Sequence, residues 1–374
     1  MANNPLLDED FGIGDVPAPP PVHYVEQALL GSLLLDPRFL ADTGPLKPDH
    51  FGDRAHAGLF AAMRAVPAPD PERHMKDPVW LNTVLERARP EAPGLTVSYL
   101  HALVQVSRWT KHVGAYALMI RADHARRTLK VRAEQLARTA TDITLPNPAT
   151  ATLAQADALT YYVDELAGRF APHPGSLPRT PVPAPPPRDT GEEAVEEERL
   201  FLATATAHPT DLTAMRWLQA GDFAHPLHGA LFQCVTALMR RGDPVDPITV
   251  LWEAQHHGLL TVDTVPADLI SLVSTPVGSP AHWGERILQR ALLAQAHTVA
   301  LRIAAFADDP ANTPHQLTTG SRRALADFTA VRTRWQRATA KPAQPSPLRT
   351  GRARPTTRAG PTPRATAATA RVSR

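Results

Sequence analysis

Along most of the chain the apolar residues recur every three or four positions, the spacing of one face of an α-helix, and no stretch carries a convincing strand period. The pattern begins at Val22, where Val22, Val25, Leu29 and Leu33 make one stripe with Glu26 and Gln27 off it. Asp36-Pro37 ends or kinks that helix, because a residue before proline avoids the α region. Ala55 to Ala65 predicts a second helix with Leu59, Phe60 and Met63 inward. Asp77-Pro78 opens another: aspartate is a good N-cap, and proline fits the first turn, where its missing N–H has no partner to lose. A short helix over Thr96–Val106 follows, then a long one from about Lys111 to Ala140, with Val113, Ala117, Ile120, Leu129 and Leu136 inward. Residues 150–170 supply one more.

The pattern is then written a second time. Phe51, His56 and Phe60 have the spacing of Phe223, His228 and Phe232, each set leading into an apolar helix. Glu196–Thr206 replays the opening helix, Asp246-Pro247 replays Asp77-Pro78, and Leu269 and Leu272 match Leu100 and Leu103. Ser279-Pro280 caps a long helix over about 280–308, and Thr313–Arg337 is the last. A repeat of this size governs how the whole chain is read. The expected fold is all-α, with two similar helical bundles.

Composition sets the boundaries. Hydrophobic residues make up 43% of the 374 and charged residues 20%, enough to bury cores, but 39 prolines are too many for packed helices alone. Residues 1–21 are acidic and proline-rich and read as a disordered tail, 22–170 as the first bundle, 171–194 as a semi-rigid proline linker, 195–337 as the second bundle, and 338–374 as a disordered basic tail. The net charge is only +2, yet from Lys341 onward there is no acid. Arg349, Arg352, Arg354, Arg358 and Arg364 are therefore the candidate nucleic-acid contacts; without interleaved aromatics they would read phosphate rather than base sequence. A solubilising tail is the alternative use of the same composition.

Other candidate chemistry is sparse. His56 and His228 occupy one repeat position, and His225 and His228 stand three apart, but no third ligand falls at metal spacing, so they read as structural. His256-His257 reads as a solvated turn, and Glu192, Glu193, Glu196, Glu197 and Glu198 as a charge cluster favouring a helix N-terminus. The phenylalanines read as core anchors. The single cysteine, Cys234, lies in an apolar helix and reads as inert. No signal peptide and no run of about 18 apolar residues occurs, so the chain reads as soluble and cytoplasmic, with no membrane partner.

Each copy resembles the N-terminal domain of the DnaB-type replicative helicase. The first has its opening in Glu26-Gln27-Ala28-Leu29-Leu30-Gly31-Ser32-Leu33-Leu34-Leu35-Asp36, together with His50-Phe51, His56, Leu59-Phe60 and Tyr99-Leu100. The second has Asp222-Phe223, His228, Leu231-Phe232, Asp246-Pro247-Ile248-Thr249-Val250, Ser274-Thr275-Pro276 and Arg290-Ala291-Leu292-Leu293. The resemblance implies a helical head and a helical hairpin that pair with neighbouring copies and receive primase and loader proteins. It departs from the family in one respect: no Gly-Lys-Ser/Thr occurs, so nothing supplies the glycine amides and lysine that cradle a nucleotide's phosphates. No cofactor and no helicase or ATPase activity is therefore carried over. A non-enzymatic, replication-associated interaction module is expected, with a replicative helicase, primase or helicase loader as partner, and with self-association or an intramolecular pseudo-dimer between the copies. The alternative is a nucleic-acid-binding protein acting through its arginine tail.

Overall fold

A computed structural model of the chain describes residues 18–107, 110–186, 191–261 and 265–340. Among them all regular structure is helical, with no strand. The described residues up to Ala338 form one compact unit.

Seven α-helices come from the first part: α1 (Pro21–Leu35), α2 (Arg54–Ala65), α3 (Pro71–Lys76), α4 (Val79–Ala88), α5 (Val97–Val106), α6 (Val113–Thr141) and α7 (Pro148–Arg169). Six follow: α8 (Glu192–Ala207), α9 (Pro226–Arg241), α10 (Pro247–His256), α11 (Pro266–Leu272), α12 (Pro280–Asp308) and α13 (Pro314–Thr339). Short 3-10 turns lead from α1 to α2 and from α8 to α9. Most helix starts follow the sequence, but α4 begins at Val79 behind Pro78 rather than Asp77, and α8 begins at Glu192, ahead of the expected Glu196. Asp53 caps α2 by accepting from the Ala55 and His56 amides, Asp246 caps α10 in a reciprocal box with Thr249, and Ser279 caps α12. The α3 turn was not foreseen: it buries nothing, so no apolar period announces it.

Two hydrophobic cores organise the unit. The first is the head built on α1. Leu29, Leu30, Leu33 and Leu34 are buried around its circumference, against Leu59, Phe60 and Met63 of α2, Val84 and Leu85 of α4, Leu100 and Leu103 of α5, and Ile120 of α6. Helices α1 and α5 cross at Gly31, where a Cβ would sit 2.1 Å from the Leu103 carbonyl oxygen, so only glycine permits the approach.

The second core is larger and draws on both copies. It joins the second head, centred on Phe201, Phe223, Phe232 and Val235, to Leu129, Ala133 and Leu136 of α6, Leu159, Val163 and Leu166 of α7, Ala296, Val299, Ile303 and Phe306 of α12, and Leu325 and Phe328 of α13. Helix α6 therefore starts in the first head's core and ends in this one. Its most extensive packing is against α12, and both helices contribute buried alanines to this core (Ala125, Ala133 and Ala137; Ala296 and Ala300). Small side chains there let two helix axes approach closely. The two helical hairpins, α6–α7 and α12–α13, thus pack on each other within one chain. Ion pairs rim the contact: Lys130 with Asp308 at 2.5 Å, Arg322 with Asp164 at 2.6 Å, and Arg332 with Asp157.

The proline segment between the copies is not loose where it is described. The Arg179 amide donates to Asn312 Oδ1 at 2.8 Å, the Thr180 hydroxyl donates to Asp309 Oδ2 at 2.6 Å, and Gln316 donates to the Leu177 carbonyl at 2.9 Å. Pro178 lies over Gly320, where a Cβ would come within 2.3 Å of Pro178 Cγ. The strap is docked on the turn between α12 and α13 and the start of α13.

Candidate functional site

The most ordered polar arrangement occurs twice, once per head. In the first head the Glu26 carboxylate, on α1, accepts from the Gly52 amide at 2.6 Å and the Asp53 amide at 3.4 Å, and lies 2.7 Å from His56 Nδ1. In the second, Glu198 on α8 accepts from the Ala224 amide at 2.5 Å and the His225 amide at 3.2 Å, and lies 2.8 Å from His228 Nδ1. All four side chains are buried. A carboxylate can only accept, so each Nδ1 carries the proton and each imidazole is held in one orientation. Burying such a group is costly unless it is fully hydrogen-bonded, and here three donors converge on each carboxylate. The node ties the first helix of each head to the turn before the second, fixing the Phe51 and Phe223 anchors beside it.

This revises two readings of the sequence. Glu26 is not on an outer face, and the glutamates of α8 are not all a solvated N-terminal cluster. Glu198 is buried on His228, and Glu197 is buried against Arg286, at 2.7 Å, and Arg290. Hydrophobic periodicity sets every carboxylate outside, so it misses one that is buried because its partners come with it. His56 and His228 each hold a buried glutamate, and His257 is not simply solvated but pairs with Glu253 at 3.3 Å. Cys234 is buried, and burial pushes its thiol up to about 11, so it is protonated and unreactive.

The surroundings of the two nodes differ. His56 Nε2 lies 2.6 Å from the Tyr99 hydroxyl, whose own pKa is raised by burial, so the phenol keeps its proton and donates it. Gln27 links Tyr99 to His23. At the second node the neighbouring ring is His225, whose centroid stands 4.6 Å from that of His228 and whose pKa is lowered by burial and then by His228. One turn further back the copies differ again. His50 accepts from the Lys47 amide at 3.2 Å, and Asp222 accepts from the Gln219 amide at 2.8 Å; His50 packs tilted against His124 of α6, and Asp222 is clamped by Arg334 of α13.

Neither of two surface depressions has the size of a small-molecule site, which runs to about 300–1,000 Å³. One, of 240 Å³, lies between α7 and α13, and one, of 80 Å³, between α4 and α5. Exposed apolar side chains are more informative. Ile248 and Trp252, one turn apart on α10, are 61% and 62% exposed. The candidate nucleic-acid contacts Arg349, Arg352, Arg354, Arg358 and Arg364 lie outside the described residues. Among those described, no helix is long and apolar enough to cross a membrane.

Two heads, each pinned by a buried glutamate–histidine node and each leading into a helical hairpin, make this an all-α protein with one domain arrangement in tandem. The model of the DnaB-like helicase N-terminal domain matches residues 18–122 and 191–284, more than half of the chain, and the chain belongs to that family. It is thus a replication-related, helicase-associated module. Each match takes in a head and the first part of its long hairpin helix, α6 or α12. No curated protein and no solved structure matches the chain.

Proposed function

We propose that the chain is a non-enzymatic docking adaptor of the replication machinery, in which two helicase-type N-terminal domains, 22–170 and 195–337, pair as an intramolecular pseudo-dimer and present their heads to a replicative helicase, a primase or a helicase loader. The observation that carries this reading is the shared core of α6, α7, α12 and α13, which joins the hairpins of both copies. A module whose hairpin is already covered from within its own chain has its heads left to offer. Ile248 and Trp252 of the second head suit such a contact, because exposed tryptophan beside aliphatic surface is the usual anchor of an interface.

The test is binding of tag-purified full-length chain to the helicase, primase and loader of its own host, each purified separately. Stoichiometric capture of one of them, weakened by Trp252→Ala without a change in melting temperature, supports the adaptor. Capture of none of them, or ATP turnover by the pure chain, overturns it. The arginine tail offers the second reading. Deleting 338–374 should remove any salt-sensitive DNA affinity while leaving partner binding intact; loss of both together would make the tail the functional element.

A further inference from the structure

His56 sits in more than a hydrogen-bond node. One donor atom each from His23, Asp53 and His56 lies within 4.8 Å of the other two. His23 is on the first turn of α1, Asp53 caps α2 and His56 lies in its first turn, so the head's fold brings His23 against two residues 30 and 33 positions further on. Asp53 spends Oδ1 on its cap, accepting from Ala55 and His56 at 2.7 and 3.2 Å, and turns Oδ2 toward His23 Nδ1 at 3.7 Å. That separation is too long for a hydrogen bond. It is close to the spacing of two ligands on one tetrahedral ion, about 3.3 Å for bonds of about 2.0–2.1 Å. The His23 and His56 ring centroids are 4.9 Å apart.

Three further features make the site a built one. Histidine that binds a metal through one nitrogen almost always gives its other N–H to a carboxylate, a backbone carbonyl or a water, which fixes tautomer and ring orientation. Glu26 already does this for His56, from a position locked by two backbone amides. The site is also reachable: the His23 and Asp53 side chains are 24% and 35% exposed, so an ion can arrive and a water can complete its shell, while His56 anchors it from the interior. Finally, the second head is an internal control. It keeps the carboxylate and the buried histidine, Glu198 and His228, but has Val195 where the first has His23 and His225 where the first has Asp53.

We propose that His23, Asp53 and His56 bind a divalent transition-metal ion of the zinc class, with Glu26 as the positioning residue, in the first head only. Two nitrogens and a carboxylate oxygen suit such an ion better than magnesium or calcium, which favour all-oxygen shells. On binding, His56 Nε2 exchanges the Tyr99 hydroxyl for the ion, and an ion held across α1 and α2 staples the two helices.

The test uses tag-free full-length protein, stripped with a chelator and titrated with Co²⁺ for its visible absorption and with Zn²⁺ for stoichiometry by elemental analysis and for melting temperature. One ion per chain and a rise in melting temperature are expected. His23→Ala and Asp53→Asn should each abolish stoichiometric binding and the rise, and His225→Ala should leave both intact. Asparagine still caps a helix, so Asp53→Asn preserves α2 while removing the charged ligand, and circular dichroism confirms the fold of each variant. Absence of a stoichiometric ion in the wild type, retention of it by His23→Ala and Asp53→Asn, or equal loss in His225→Ala would each overturn the proposal.

Discussion

The two heads answer one demand with different second layers. Both hold a buried carboxylate on a histidine and two amides, at the same spacings along the chain, yet the first surrounds its histidine with Tyr99, Gln27, His23 and Asp53, and the second sets the His225 ring beside it. The same split recurs where His50 faces His124 while Asp222 faces Arg334. What both copies keep is the pin that orients the opening helix. What differs is whatever lies one shell out, toward solvent or toward the hairpins. The pin is thus a requirement of the fold, and the second layer is where two copies in one chain are free to specialise.

The largest effect should come from removing the pin. Glu26→Ala and Glu198→Ala each leave a buried imidazole and two amides without an acceptor, and each should cost about 3–5 kcal/mol in denaturant unfolding. If one of the two is nearly silent, the heads do not share the requirement. Next comes the core that serves both copies. Leu129→Ala should cost about 2–5 kcal/mol and split a single unfolding transition into two, because it loosens the hairpin contact rather than one head. Gly31→Ala separates the heads more finely. It forces a methyl against a backbone carbonyl in the first head, at about 1–3 kcal/mol, where the second already carries Ala203 at the matching place. The most gradual effect is on pH. Burial, and then His124, lower the His50 pKa to about 4. In the unfolded chain it titrates near 6.5, so between those values the unfolded state binds the proton and the folded state does not. Stability should therefore fall as pH drops from about 6.5 toward 4, by at most about 1.4 kcal/mol per unit from this group, and His50→Asn should flatten that part of the profile measured by thermal melting.

Much of this was legible in the residues. The phenylalanine–histidine–phenylalanine spacing revealed the duplication, and proline and its caps placed the starts of α10 and α12 to within a residue. The nodes were hidden for a definable reason: a helical stripe is counted in apolar residues, and Glu26 and Glu198 are buried without being apolar. One signal was available, since each glutamate precedes its histidine by 30 residues in both copies. The pairing of α6 with α12 had no such trace. Its partners stand far apart in sequence, and alanine, the residue that lets the helices touch, is also the commonest choice for a helix with nothing against it. The strap was hidden because polyproline composition reports stiffness and says nothing of what the segment lies on.

That strap has a consequence for concentration. Two separate domains that meet through their hairpins obey mass action and come apart on dilution. Here both hairpins belong to one molecule, and the segment joining them is itself fastened at Pro178, Arg179 and Thr180. A short tether of this kind holds its ends at an effective concentration on the order of millimolar, whatever the number of copies in the cell. The paired hairpins should therefore persist at abundances where a two-chain pair would have dissociated, and the heads stay presented together even when the protein is scarce.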